Sequence, residues 1–223
     1  MKITQFPNKI TEELAEEIGW HIGDGSMNYY NNKGYYRGIY QLRGHIEEDR
    51  LHYIQRIKPI FKSLYGIDIS LRVMPSTRVF GFQIWSSELV KFKESLGLKV
   101  GPKIDISIPP IFLNNDNLKI AVLRGIFDTD GCVYLEKRKN RLYPRLEIKT
   151  ISLLLAEQLR LILVGFGLRA TMYREKFYEI GNKKVSYAIV IRGEEMLHKF
   201  LKIISPKNPK HLSKYSKFTQ SFK

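Results

Sequence analysis

Leu123-Arg124-Gly125-Ile126-Phe127-Asp128-Thr129-Asp130-Gly131 has a counterpart earlier in the chain, Glu17-Ile18-Gly19-Trp20-His21-Ile22-Gly23-Asp24-Gly25. Each closes a helix-length apolar segment, sets a glycine five residues before an aspartate, and ends Asp-Gly. The downstream segments repeat too. After Gly25, strand-like runs at 26–30 and 35–43 flank the turn Asn31-Asn32-Lys33-Gly34; after Gly131, runs at 132–137 and 144–150 flank Arg138-Lys139-Asn140. Helical spacing comes next, through Leu51, Ile54, Ile57, Phe61 and Leu64 in the first copy, with Pro59 as a kink and Gly66 as a stop. Leu155, Leu159, Ile162 and Phe166 do the same in the second, ending near Gly167. A second strand pair (67–73 with 78–85; 168–174 with 185–191) and a closing helix (87–96; 194–203) complete each copy. The unit reads αββαββα twice. The expected fold is therefore α+β, with two pseudo-symmetric subdomains at 1–100 and 117–223. Pro102, Pro109 and Pro110 stiffen the joint at 101–116.

The 223 residues carry 37 Lys and Arg against 22 Asp and Glu, a net charge of +15, and 43% are hydrophobic. That composition supports a packed core and excludes general disorder. A field of this size attracts polyanions, nucleic acid first and an anionic membrane surface second. A peripheral membrane helix gathers its Lys and Arg opposite bulky apolar residues. Here the cations interleave with tyrosines, as in Tyr35-Tyr36-Arg37-Gly38-Ile39-Tyr40-Gln41-Leu42-Arg43. No apolar run approaches the ~20 residues that span a bilayer. One cysteine, Cys132, excludes an internal disulfide and a Cys-rich zinc site. The expectation is a cytoplasmic protein with a nucleic-acid partner and no membrane partner.

Strand parity identifies the face left open. With Leu168, Ala170 and Met172 turned inward, Arg169, Thr171 and Tyr173 turn outward; Arg145, Glu147 and Lys149 share a face, as do Asp68, Ser70 and Arg72. Antiparallel sheets with helices on one side leave the other free for a ligand. The residues expected on nucleic acid are Tyr36, Arg37, Tyr40, Gln41, Arg43, Arg72, Arg78, Lys137, Arg138, Lys139, Arg145, Lys149, Arg169, Tyr173 and Arg174.

The aspartates are out of place electrostatically. The C-terminal end of a helix carries partial negative charge, so an acidic group there costs about 0.3–1 kcal/mol. A cation beside the carboxylate and the free carbonyls reverses that sign, and Mg²⁺ prefers oxygen ligands. A lone Asp-Gly is ordinarily a turn, with the glycine supplying a left-handed cap. Two copies in the same setting argue for more. Gly19 and Gly23, like Gly125 and Thr129, form small-residue stripes that let two helices run backbone to backbone and bring Asp24 and Asp130 together.

These paired segments resemble the two motifs of the LAGLIDADG homing endonucleases, and the resemblance extends over nearly the whole chain. Leu123–Gly131 is close to the motif; Glu17–Gly25 is looser but keeps Gly19, Asp24 and Gly25, with Ile22 and Gly23 departing from it. The resemblance implies a monomer whose motif helices form the core between subdomains. It also implies two or three Mg²⁺ ions at Asp24 and Asp130, beside Gly23 and Thr129, and cleavage of both strands of a long asymmetric double-stranded DNA site. It further implies a lysine near the end of each copy at the scissile phosphates. Lys103 and Lys207, each in a Pro-Lys dipeptide, match in placement, and Lys210 is the nearest competitor. His21 is expected to be packed. The competing reading is a non-catalytic binder on the same scaffold, either a maturase for the RNA of a host intron or a DNA-binding regulator. Without an N-terminal Cys or Ser or a terminal His-Asn, a free-standing, intron-encoded protein is expected.

Overall fold

The computed structural model describes residues 3–32, 34–74, 77–138, 141–179 and 182–220. The first half comprises α1 (Glu12–Gly23), β1 (Gly25–Asn32), β2 (Tyr35–His45), α2 (Arg50–His52), α3 (Lys58–Tyr65), β3 (Arg72–Met74), β4 (Val79–Trp85) and α4 (Ser87–Ser95). The second comprises α5 (Asp116–Asp130), β5 (Gly131–Arg138), β6 (Arg141–Thr150), α6 (Leu153–Gly165), β7 (Ala170–Glu179), β8 (Asn182–Arg192), α7 (Glu194–Ile204) and α8 (Pro209–Gln220). Each half holds a four-stranded antiparallel sheet, in the orders β1-β2-β4-β3 and β5-β6-β8-β7. The repeat is thus topological as well as sequential. Among the described residues, α8 has no counterpart in the first half.

Helices cover one face of each sheet. Met27, Tyr40, Leu42, Phe80, Phe82 and Ile84 are buried beneath α1, α3 and α4; Val133, Leu146, Ile148, Ile189 and Ile191 are buried beneath α5, α6 and α7. Polar anchors stand inside this packing. Glu17 is fully buried, accepts from the hydroxyls of Tyr40 (3.0 Å) and Tyr65 (3.1 Å), and pairs with the equally buried Lys93. Glu16 accepts a forked pair from Arg56 (2.9 and 2.8 Å) and reaches Arg124 of α5 at 3.2 Å, which ties the two halves together.

Two expectations fail for local reasons. The expected helical stripe holds at Ile57, Phe61 and Leu64, which are buried, but its first turn is out of phase, leaving Leu51 and Ile54 exposed while His52 and Tyr53 are buried. A π-helical turn at Tyr53–Ile57 widens the helix just before Pro59 and rotates the buried face. The strand expected at 67–73 shortens to Arg72–Met74, with Ile67 and Ile69 buried in the connection instead.

Candidate active site at the seam between the halves

α1 and α5 pack side by side with their backbones in contact. A Cβ on Gly125 would lie 2.9 Å from the Gly19 Cα and 2.9 Å from the Trp20 amide; one on Gly19 would lie 2.8 Å from the Gly125 Cα. Only glycine fits at this crossing. One turn further, a Cβ on Gly23 would lie 2.8 Å from the Thr129 Cβ and 3.4 Å from the Asp130 carboxyl carbon. The helices therefore deliver Asp24 and Asp130 to one spot. The glycines after them are not left-handed caps: Gly131 is extended (φ −77°, ψ 153°), and Gly25 also avoids positive φ. Each is required by closeness, since a Cβ on Gly25 would lie 2.6 Å from His21 Nδ1 and one on Gly131 would lie 2.6 Å from the Phe127 ring.

Crowding shows in the acids' titration. Burial, then the neighbouring Asp130 and Asp49 carboxylates, push Asp24 up to about 8. Asp130 keeps an exposed edge while its carboxyl sits among protein atoms; burial raises it to about 6, opposed by Lys103 and Lys210. The Tyr53 hydroxyl, buried without a hydrogen-bond partner, feels Asp24, Asp49 and Asp130 and is held above its ordinary range, burial being the larger cause.

Two lysines sit on the helix ends. Lys103 Nζ donates to the carbonyls of His21 (2.9 Å), Ile22 (3.1 Å) and Gly23, capping α1. Burial lowers its pKa, and the two aspartates act in the opposite direction. Lys210 Nζ donates to the Thr129 carbonyl at 3.1 Å on α5 and pairs with Asp49 Oδ1 at 2.8 Å. Lys207 does not take this place. Its amide donates to the buried Asp128 carboxylate, while its exposed ammonium turns to Ser205 Oγ at 3.1 Å. Sequence reasoning missed Asp49 and Tyr53; nothing local in the sequence marks either one. His21 is packed, stacked on Tyr40.

The open face of the first sheet is set by register. Ser26, Asn28 and Tyr30 lie across from Gln41, Ile39 and Arg37, then Arg43 from Gly81, and Gly81 from Arg72. Arg37, Gln41, Arg43 and Arg72 therefore share it. In the second sheet, Tyr134, Arg145 and Arg192 line up, as do Lys149, Ala188 and Tyr173. A cleft of ≈ 300 Å³ joins the second sheet to Asp130, lined by Gly23, Lys103, Asp130, Lys149, Thr150 and Ser186 among others.

Other expected DNA contacts fall elsewhere. Tyr40 is buried with its hydroxyl on Glu17, and Tyr36 shares its parity. Lys137 lies across from Leu142 and Arg174 across from Tyr187, both on the helix-side parity. Arg78 sits in the β3–β4 turn with φ 53°, and Arg169 precedes β7, paired with Glu195 at 2.9 Å. Lys139 lies outside the described residues, as does the Arg138 side chain.

Two sheets of one order flank glycine-packed helices with a carboxyl at the end of each, a fold that recurs in solved homing endonucleases. The chain is similar to the homing endonuclease I-DmoI (18% identity, TM-score 0.62, 86% of this chain and 88% of that one). It is also similar to I-GzeII, solved with its DNA target (14%, 0.56, 96% and 89%). Residues 117–205 match the family model of the LAGLIDADG-like domain. Among curated proteins it is similar to the replication factor C small subunit of Methanocaldococcus jannaschii, 34% identical over 204 residues. It also matches the same organism's glutamine–fructose-6-phosphate aminotransferase, 23% identical over 202 residues. It spans 91% and 90% of its own length in these matches but only 10% and 17% of theirs. Among the described residues, no helix is long and apolar enough to cross a membrane.

Proposed function

We propose that this chain is a site-specific DNA endonuclease that hydrolyses both strands of a long asymmetric duplex with Mg²⁺ at Asp24 and Asp130. The observation that carries this reading is the meeting of two carboxyls beside two lysines, at a cleft that opens onto a basic sheet. The residues fit a hard divalent cation: the donors are oxygens, and both carboxyls are pushed toward protonation by burial, with Asp130 adding to the effect on Asp24. When bound, Mg²⁺ supplies Lewis-acid stabilisation of phosphate charge and lowers the pKa of water.

The protein's own part is positioning. Lys103, with three carbonyl acceptors, is a fixed positive charge at the α1 terminus rather than a proton carrier. Lys210 holds the corresponding place on α5, and both charges favour the negative charge that develops at a phosphate. One chain supplies both acids, so it acts as a monomer. Related proteins support the substrate class: I-DmoI has been solved with DNA and Mn, and a variant of it with its target DNA in the presence of Mg. The matched segment recurs within longer proteins of unrelated activities, which fits a unit whose activity is separable from that of its surroundings.

The test begins with a duplex recovered from a randomised pool by binding in Ca²⁺. In Mg²⁺ the wild type is expected to linearise a plasmid carrying it. Asp130→Asn and Asp24→Asn are expected to bind it within a few-fold of wild type and cut at least ~100-fold more slowly. Full cutting by Asp130→Asn removes that residue from the mechanism. Binding without any cutting, together with stimulated splicing of a host RNA, favours the maturase reading.

A further inference from the structure

We infer that Asp49 is a positioning residue that holds Lys210 in place from the opposite half of the molecule, making the two strand-cutting centres unequal; this rests on the endonuclease reading. Asp49 occupies the N-cap of α2, where an aspartate ordinarily accepts from the first-turn amides of its own helix. It makes no such bond. Its buried carboxylate turns away, with Oδ2 accepting from the His45 amide at 2.7 Å and Oδ1 accepting from Asn208 Nδ2 at 2.7 Å and Lys210 Nζ at 2.8 Å.

Asn208 is fully buried and braces this contact: its side-chain amide also donates to the Asp128 carbonyl at 2.8 Å, and its backbone amide donates to Asp128 Oδ1 at 3.0 Å. A lysine borne on α8 is thus fixed by a carboxylate of the first half through a chain of short bonds.

The second copy lacks this device. At the N-cap of α6, Ser152 caps its own helix through the Leu155 amide at 3.3 Å and donates to the Ile106 carbonyl at 2.7 Å. Lys103 is accordingly held by carbonyls of the α1 end. One lysine beside the acids is clamped by an ion pair across the seam; the other, borne on the joint, is clamped by the terminus of α1.

The experiment tracks each strand separately on a plasmid carrying the selected duplex, with one end label per strand. Asp49→Asn keeps the shape and removes the charge. It is expected to slow one strand at least tenfold while leaving the other within twofold, so that nicked circles accumulate and DNA affinity is unchanged. Lys210→Met is expected to bias the same strand and Lys103→Met the other. The Asp49→Asn/Lys210→Met double variant is expected to be no slower on the affected strand than Lys210→Met alone. Should Asp49→Asn unfold, Asn208→Ala loosens the same brace and must show the same bias in weaker form. Equal slowing of both strands, a wild-type strand ratio, or additive losses in the double variant overturn the proposal. A wild type that binds but never cuts removes the endonuclease reading itself, and the role of Asp49 with it.

Discussion

Asp24 is less stable charged than protonated in the folded protein, with consequences that can be measured without substrate. Its folded pKa of about 8 lies above the ordinary 3.8, so the folded chain holds its proton where the unfolded chain releases it. Relative stability from this group is complete below about pH 4 and is lost as pH rises to 8. Asp24→Asn removes the penalty. In EDTA at pH 8 the variant is expected to melt above wild type, by roughly 2–4 °C per kcal/mol recovered, and the gap is expected to close as pH falls toward 4. Added Mg²⁺ is expected to raise the wild-type melting point and leave the variant's unchanged. The aspartates were legible because they sit at a position that helices disfavour. The second lysine was not: Pro-Lys spacing pointed to Lys207, but the buried Asp128 carboxylate grips that residue's backbone, and the lysine that reaches Thr129 lies three positions further on, in the first turn of α8.

Among the elements, the α1–α5 pair is where sequence and structure agree most directly, because small residues four apart on two helices leave few alternatives. The contact is backbone on backbone, so a methyl group finds no flexible side chain to displace. Gly19→Ala and Gly125→Ala are each expected to cost about 1–3 kcal/mol or more by overpacking, and to reduce cleavage beyond the stability loss because the carboxyls move apart. Gly165→Ala, in open space at the end of α6, is the control and is expected to be neutral or slightly stabilising. Chemical denaturation midpoints and cleavage rates of the three variants check this; a Gly19→Ala protein as stable and active as Gly165→Ala would mean that the helices do not touch. The neighbouring helix was harder to read. Apolar spacing assumes 3.6 residues per turn throughout, and the π turn before Pro59 breaks that assumption without any local signature.

At the scale of the whole molecule, the charge of +15 was legible but its distribution was not, because parity says which residues share a face and nothing of what they bind. The open faces differ. Among the described residues, that of the first sheet carries Arg37, Arg43 and Arg72 and no carboxylate. That of the second is a lattice of ion pairs: Arg145 with Glu136 at 3.0 Å and Glu147 at 3.5 Å, and Lys149 with Glu147 at 3.4 Å and Glu175 at 2.9 Å. Glu147, buried at the centre, restrains both cations. If the chain binds DNA as proposed, the first sheet would offer charge to phosphates, whereas the second would offer held groups suited to base edges. Glu147→Gln frees Arg145 and Lys149 in part. Affinity for a random-sequence duplex is expected to rise, and the slope of log K against log salt is expected to steepen by about 0.9 for each further phosphate neutralised. Discrimination between the selected duplex and the random one is expected to shrink. Arg43→Gln, on the sheet without carboxylates, is expected to do the reverse to the slope, flattening it by about the same amount. Fluorescence anisotropy titrations in Ca²⁺ at several salt concentrations separate the two; equal slopes for both variants would mean that the sheets carry their charge alike.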